Sequence, residues 1–159
     1  MEANDPVAMT QWGKKQYVKG NYSSAFEYFT RAAELGDVLA HYQLALMHHY
    51  GDGVEKDKGK EMYHLEEAAI GGHPYARYNI GCEEWKNGND ERAAKHWIIA
   101  ASQGDDSSMK ALIAAYKGGL INKEDLAAAL RAHQAAVDAT KSPQREAAEE
   151  YRQMMSSAD

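Results

Sequence analysis

The chain has 159 residues, is 44% hydrophobic and carries a formal net charge of -6. The acidic balance excludes an ordinary nucleic-acid binder, which needs Lys and Arg to neutralise phosphates, and a single cysteine, Cys82, excludes an internal disulfide framework or a multi-cysteine zinc module. No apolar run approaches membrane-spanning length and the start, "MEANDPVAMTQ", is neither a signal nor a transit peptide, so no membrane insertion is expected and a soluble, cytoplasmic protein is the natural expectation.

Helix formers dominate and β-branched residues are scarce, which predicts an all-α chain. The elements recur with a period. Asp5, Asp37, His73 and Asp105 lie 32, 36 and 32 residues apart, each at a predicted helix N-cap, and Pro6 and Pro74 follow two of them. The first unit, about 5–36, predicts a helix from Asp5 to about Lys19, the tight turn "KGNY", and a second helix ending at Ala32-Ala33 before Gly36. The second, about 37–72, runs from Asp37 to Tyr50, turns through "GDGVEKD", restarts at the cap Asp57 and ends at Ala68-Ala69 before Gly72. Val54 is expected to tuck under that longer turn. The third, about 73–104, repeats the pattern through Lys86, "NGND", Ala100-Ala101 and Gly104. Glycine just past a helix end closes the last turn in the left-handed conformation.

The fourth unit, about 105–139, predicts a helix to Lys117 and another from the capping-box-like Asn122/Asp125 to about Ala139. Ser142-Pro143 then predicts a separate capping helix over about 143–156, with Ala147, Tyr151, Met154 and Met155 turned inward. A helix of about 14 residues is about 21 Å long and cannot bury its apolar stripe within one hairpin, so successive hairpins must stack. Small residues at Ala8, Gly13, Ala40, Ala45, Ala76 and Gly81 are expected to let paired helices approach. Trp12, Leu44, Ile80 and Leu112 are expected to fill the space between them.

These anchors resemble the Sel-one-like repeat, a relative of the tetratricopeptide repeat. Residues 36–72 carry the fullest set: Gly36, Asp37, Ala40, Leu44, Gly51, Gly53, Val54, Asp57, Ala68, Ala69 and Gly72. The first unit is more like a plain tetratricopeptide, with Trp12, Gly13, Gly20, Tyr22, Ala25, Phe29 and Ala32. Glu61 stands where Ala is usual, and Ala45 and Ile113 where Gly is usual. The tail from Asn122 resembles the ending of repeat proteins of diatoms and related algae, in some of which a zinc-binding RING domain precedes the repeats; this chain has no such cysteines. The resemblance implies one right-handed α-α superhelix over 1–159: four helical hairpins and a C-terminal capping helix.

No constellation for catalysis, a cofactor or a metal emerges. His41, His48 and His49 lack the i, i+4 spacing of helical zinc pairs, and His48 falls at a packing position. His64 and His96 are equivalent to Tyr28 and read as structural, and His73 as a cap. "GDGVEKD" lacks both the alternating oxygen ligands of a calcium loop and the Gly-Lys-Ser/Thr ending of a phosphate loop. Cys82 has no visible base partner.

What remains is a surface. The tetratricopeptide resemblance implies that the first helix of each hairpin lines a concave groove. Carried over by register, the candidate partner-binding residues are Lys14, Tyr17, Tyr42, Leu46, His49, Tyr50, Tyr78, Asn79, Trp85, Lys86 and Lys110. Aromatic side chains supply contact area at low entropic cost. The lysines give the groove a basic tint, so the expected partner is a protein or peptide segment with acids and an apolar anchor. The expectation is a non-catalytic scaffold or adaptor. The alternative is a structural or assembly subunit that uses its convex face and C-terminal helix.

Overall fold

The computed structural model describes residues 4–156, and among these every regular element is an α-helix. The order is α1 (Pro6–Val18), α2 (Tyr22–Glu34), α3 (Val38–Tyr50), α4 (Lys58–Ile70), α5 (Pro74–Lys86), α6 (Asp90–Ser102), α7 (Asp106–Lys117) and α8 (Lys123–Ser156). Each helix packs on its neighbours in the chain, and α8 packs on both α6 and α7. The core is correspondingly divided. One cluster joins α1 to α3, the next joins α3 to α5, and a third joins α6, α7 and α8 around Trp97, Met109, Leu112 and Ala129. Successive local cores without one centre define an α-solenoid.

Short polar signals set the joints. Asp37 Oδ1 accepts from the amides of Leu39 and Ala40 at 2.8 and 3.1 Å, while Oδ2 accepts from the Thr10 hydroxyl at 3.0 Å. One carboxylate thus caps α3 and ties it to α1. His73 caps α5 by accepting from Ala76 N at 3.2 Å, and Asp105 caps α7 by accepting from Ser108 N at 2.7 Å. The first alanine of each Ala-Ala pair is fully buried, and its carbonyl accepts from the amide of the next cap: Asp37 to Ala32, His73 to Ala68, Asp105 to Ala100. The left-handed glycine between them (Gly36, φ 86°; Gly72 and Gly104, φ 92°) makes that closure possible.

The helices approach by size pairing. A methyl on Gly13 would stand 2.6 Å from the Phe29 ring, and one on Gly81 would stand 2.5 Å from Trp97 Nε1. Phe29, Leu65 and Trp97 are equivalent positions of the second helices. A ring requires glycine opposite it, whereas Leu65 tolerates Ala45. In the fourth hairpin this pairing lapses: Ile113, at the glycine position of the first helix, is 37% exposed, and the small Ala129 of α8 is buried in the third cluster.

Two expectations are corrected. Trp12 does not fill an interhelical space: it is 41% exposed, whereas Leu44, Ile80 and Leu112 are buried. At Leu44, Ile80 and Leu112 a preceding hairpin covers the outer side of the helix; α1 has no such cover among the described residues, and Lys15 Nζ instead lies 4.8 Å over the Trp12 ring. The separate capping helix over 143–156 is also absent. Helix α8 runs unbroken through Pro143, and Tyr151, Met154 and Met155 are 64, 70 and 58% exposed. Proline removes one backbone donor and crowds the preceding turn. The segment is exposed, so water can satisfy the carbonyl that loses its partner.

Candidate functional site: two clefts on the first-helix face

The first-helix face carries two adjacent clefts. The first, about 170 Å³, lies between α3 and α5 over α4. It gathers five of the sequence-predicted residues, Leu46, His49, Tyr50, Asn79 and Lys86, with Glu61, Leu65, Cys82 and Glu83. Its floor is a network of ion pairs and hydrogen bonds. Lys58 Nζ lies 3.0 Å from both Glu61 and Glu83, Lys86 Nζ 2.9 Å from Glu83, and His49 Nδ1 3.0 Å from Glu61. Burial alone would raise the Glu83 pKa. The hydrogen bonds and charges of Lys86 and Lys58 outweigh it and hold the carboxyl below its usual range. Glu61, only 7% exposed, is the residue that replaces the usual Ala, and it turns an apolar packing position into a charged floor. The expected basic tint is therefore muted here, because Lys86 is engaged by Glu83.

The second cleft, about 330 Å³, lies between α5, α6 and α7. Tyr78, Cys82, Trp85, Trp97, Ala111, Ala114, Ala115, Gly118 and Leu120 line it. Truncation at two register positions opens it. The equivalents of Ala111 are Gln11, Gln43 and Asn79, and those of Ala114 are Lys14, Leu46 and Cys82. Trp97 stands at the base, 5% exposed, donating through Nε1 to the Tyr78 carbonyl at 3.3 Å. Trp85 stands at the rim, 54% exposed. Lys110 shares the helical stripe of Ala114 and Lys117, and neither lysine has an ion-pair partner among the described residues.

The remaining predicted residues divide. Tyr17 donates to Asp52 in the long turn; that bond first, then burial and the Asp52 charge, pushes its phenol up to about 12. It knits the second repeat to the first. In the same turn Val54 packs on the first core cluster, and Gly53 lies so close to Tyr22 that a methyl there would stand 2.6 Å from its Cβ. Tyr42 stacks on His73 with ring centres 4.3 Å apart, and its burial raises the phenol pKa. Tyr78 is half-buried against the third cluster. Tyr42 and Tyr78 therefore serve the joints between hairpins as well as the face. Lys14 is half-buried in α1 and lines neither cleft.

On the opposite, second-helix side, a cleft of about 500 Å³ between α2 and α4 brings together His41, His48 and His64 with Phe26, Tyr63 and Lys60. His41 Nδ1 and His64 Nδ1 are 3.0 Å apart, and the His48 and His64 rings stack at 5.9 Å. Burial, reinforced by the charges of His41, His48 and Lys60, pushes His64 down to about 4. Among the described residues, no group of three or more His, Cys, Asp or Glu is arranged to hold a metal. No described helix is long and apolar enough to cross a membrane.

Sequence reasoning missed Glu61, Trp97 and Ala111 as lining residues. Glu61 was signalled by its break with the alanine register, and Ala111 by its break with the Gln/Asn register. Trp97 gave no signal beyond a core position.

Comparison with known proteins supports this geometry. A Sel1 repeat protein from Oxalobacter formigenes has a crystal structure similar to this one, with TM-score 0.71 and 30% identity over 87% of this chain and 60% of that one. A protective antigen of uropathogenic Escherichia coli with an SLR fold is similar at TM-score 0.70 and 28% identity, over 86% of this chain and 31% of that one. The chain thus spans less than two thirds of the length of either. Among curated proteins, none matches this sequence. The Sel1 repeat family matches residues 8–37, 38–73 and 74–105, one match for each of the first three hairpins, and on these matches the chain belongs to the Sel1 repeat family.

Proposed function

We propose that this protein is a non-catalytic interaction scaffold that holds a partner segment along the face built by α1, α3, α5 and α7. One observation carries the reading: two clefts of different character lie side by side on that face. The first offers a charged floor and exposed polar-aromatic rims, and the second an apolar hole beside two lysines that have no ion-pair partner among the described residues. A segment with an apolar anchor and acids next to it satisfies both. Concave solenoid faces present such extended surfaces because each repeat adds a similar wall at a fixed step. Binding energy concentrates in a few aromatic anchors. Tyr50 and Trp85, at 59 and 54% exposure, are the two that the fold least requires. Changing both to Ala should abolish capture of partners while leaving the far-UV spectrum unchanged. Undiminished capture would refute the proposal.

A second reading is favoured by one feature only. Every side chain described from 143 to 156 is exposed, so α8 projects from the stack and could serve assembly. Deleting residues 143–159 should then remove binding that the Tyr50 and Trp85 changes leave intact.

A further inference from the structure

We infer that the apolar cleft between α5, α6 and α7 is a docking site for the projecting end of α8 from a second copy of this chain, with Tyr151 as the side chain that enters it. The inference rests on the reading of the first-helix face as the binding surface and names one occupant of it.

Two surfaces of the same chain are complementary. The hole is about 330 Å³, lined by Trp85, Trp97, Tyr78 and a wall of alanines. That volume lies at the lower end of the range of ordinary ligand pockets and suits a large side chain with a flanking neighbour. The knob is Tyr151, 64% exposed on a helix end whose described side chains are all exposed. Its apolar stripe, left open to water, gains by burial against a partner. At 100° per residue, Ala147, Ala148 and Met155 flank Tyr151 on one stripe. Glu146 and Glu150 run down one side of that stripe, and Arg145 and Arg152 down the other. The hole has a matching asymmetry. Lys110 and Lys117, both without an ion-pair partner among the described residues, stand on its α7 side, and the acidic flank of the incoming helix meets them there. Aromatic rings around a tyrosine favour edge and offset contacts, and the phenol hydroxyl stays at the mouth where water reaches it.

The test uses the full chain and a fluorescein-labelled peptide of residues 143–156. The chain should self-associate in sedimentation equilibrium, more weakly as salt is raised. The peptide should shift the Trp85 indole and Gly118 amide resonances. Tyr151→Ala should weaken self-association about tenfold or more, as expected for loss of a central aromatic anchor. Ala114→Phe, at an exposed position, should weaken both self-association and peptide binding to the same degree by filling the hole. If that variant misfolds, Lys110→Glu with Lys117→Glu should give a loss of both without touching the core. A chain that stays monomeric, with no peptide binding at millimolar concentration, overturns the proposal. So does association that survives Tyr151→Ala. If cellular partners are still captured through Tyr50 and Trp85 by a strictly monomeric chain, this inference fails and the groove reading stands.

Discussion

Gly81→Ala is expected to destabilise the protein in one background and not in another. In the native chain the new methyl would stand 2.5 Å from Trp97 Nε1, 2.7 Å from Cδ1 and 3.2 Å from the Ala93 carbonyl. The indole must move, because the other neighbour is backbone. Overpacking of this kind costs about 1–3 kcal/mol. The displaced indole also loses its hydrogen bond to the Tyr78 carbonyl, about 1 kcal/mol more. Alanine regains about 1 kcal/mol of helix propensity over glycine. The net loss is about 2 kcal/mol. Trp97→Leu reproduces the second hairpin, where Leu65 faces Ala45. In that background the indole clash and the hydrogen bond are both gone and only the 3.2 Å approach to the Ala93 carbonyl remains, so the gain in helix propensity should bring Gly81→Ala to within about 1 kcal/mol of neutral. Urea unfolding of the four proteins, followed by circular dichroism, completes the double-mutant cycle. Equal effects of Gly81→Ala in both backgrounds would refute the size-pairing account of how the helices approach.

Other expectations follow from single side chains. Asp37→Ala removes a cap and strands the buried Thr10 hydroxyl, and should cost about 2 kcal/mol. Asp5→Ala, at an exposed cap with one bond to Val7, should cost about 1 kcal/mol or less; equal losses in urea unfolding would contradict the dual role of Asp37. His64 sits at about 4 in the fold against an ordinary value of 6.5, so the unfolded chain binds its proton more tightly. Its contribution is present above the unfolded value and is lost as pH falls from there through about 4. Between about pH 7 and pH 4.5 the loss is roughly 2 kcal/mol. Asp57 and Glu83, both held low, lose stability in the same direction, so the comparison must be with His64→Phe, which should lose roughly 2 kcal/mol less over that interval. Parallel pH profiles for the two proteins would show that His64 is not a source of acid sensitivity.

Much of the architecture was legible because repeats print their joints in the sequence. Asp37 and Asp105 at the caps, Ala32, Ala68 and Ala100 beneath them, and the left-handed glycines between are short-range requirements of the backbone, and each recurs at its expected place. The last residues of α3, α5 and α7 follow from the same register. Trp12 and Pro143 were misread for one reason: their fate depends on what covers them, and local pattern is silent on that. The candidate face was half legible. First-helix residues such as His49, Tyr50 and Lys86 converge as register implies. Of the walls contributed by second helices, Glu61 shows in the sequence only as a break in the alanine register, and Trp97 looks like a core position until two hairpins are set side by side. The pairing of Gly13 with Phe29 and Gly81 with Trp97 lay in the sequence as well, yet only the helix crossing shows which residues oppose one another.

The measurement that bears most directly on the central claim is photo-crosslinking in the source cell. A benzoyl-phenylalanine placed at Tyr50 or Trp85 should capture the same partner from both positions. The same probe at Tyr63 or Ile99, exposed on the second-helix side, should capture none of it. A partner that crosslinks from Tyr63 or Ile99 and not from Tyr50 or Trp85 would contradict the assignment of the binding face.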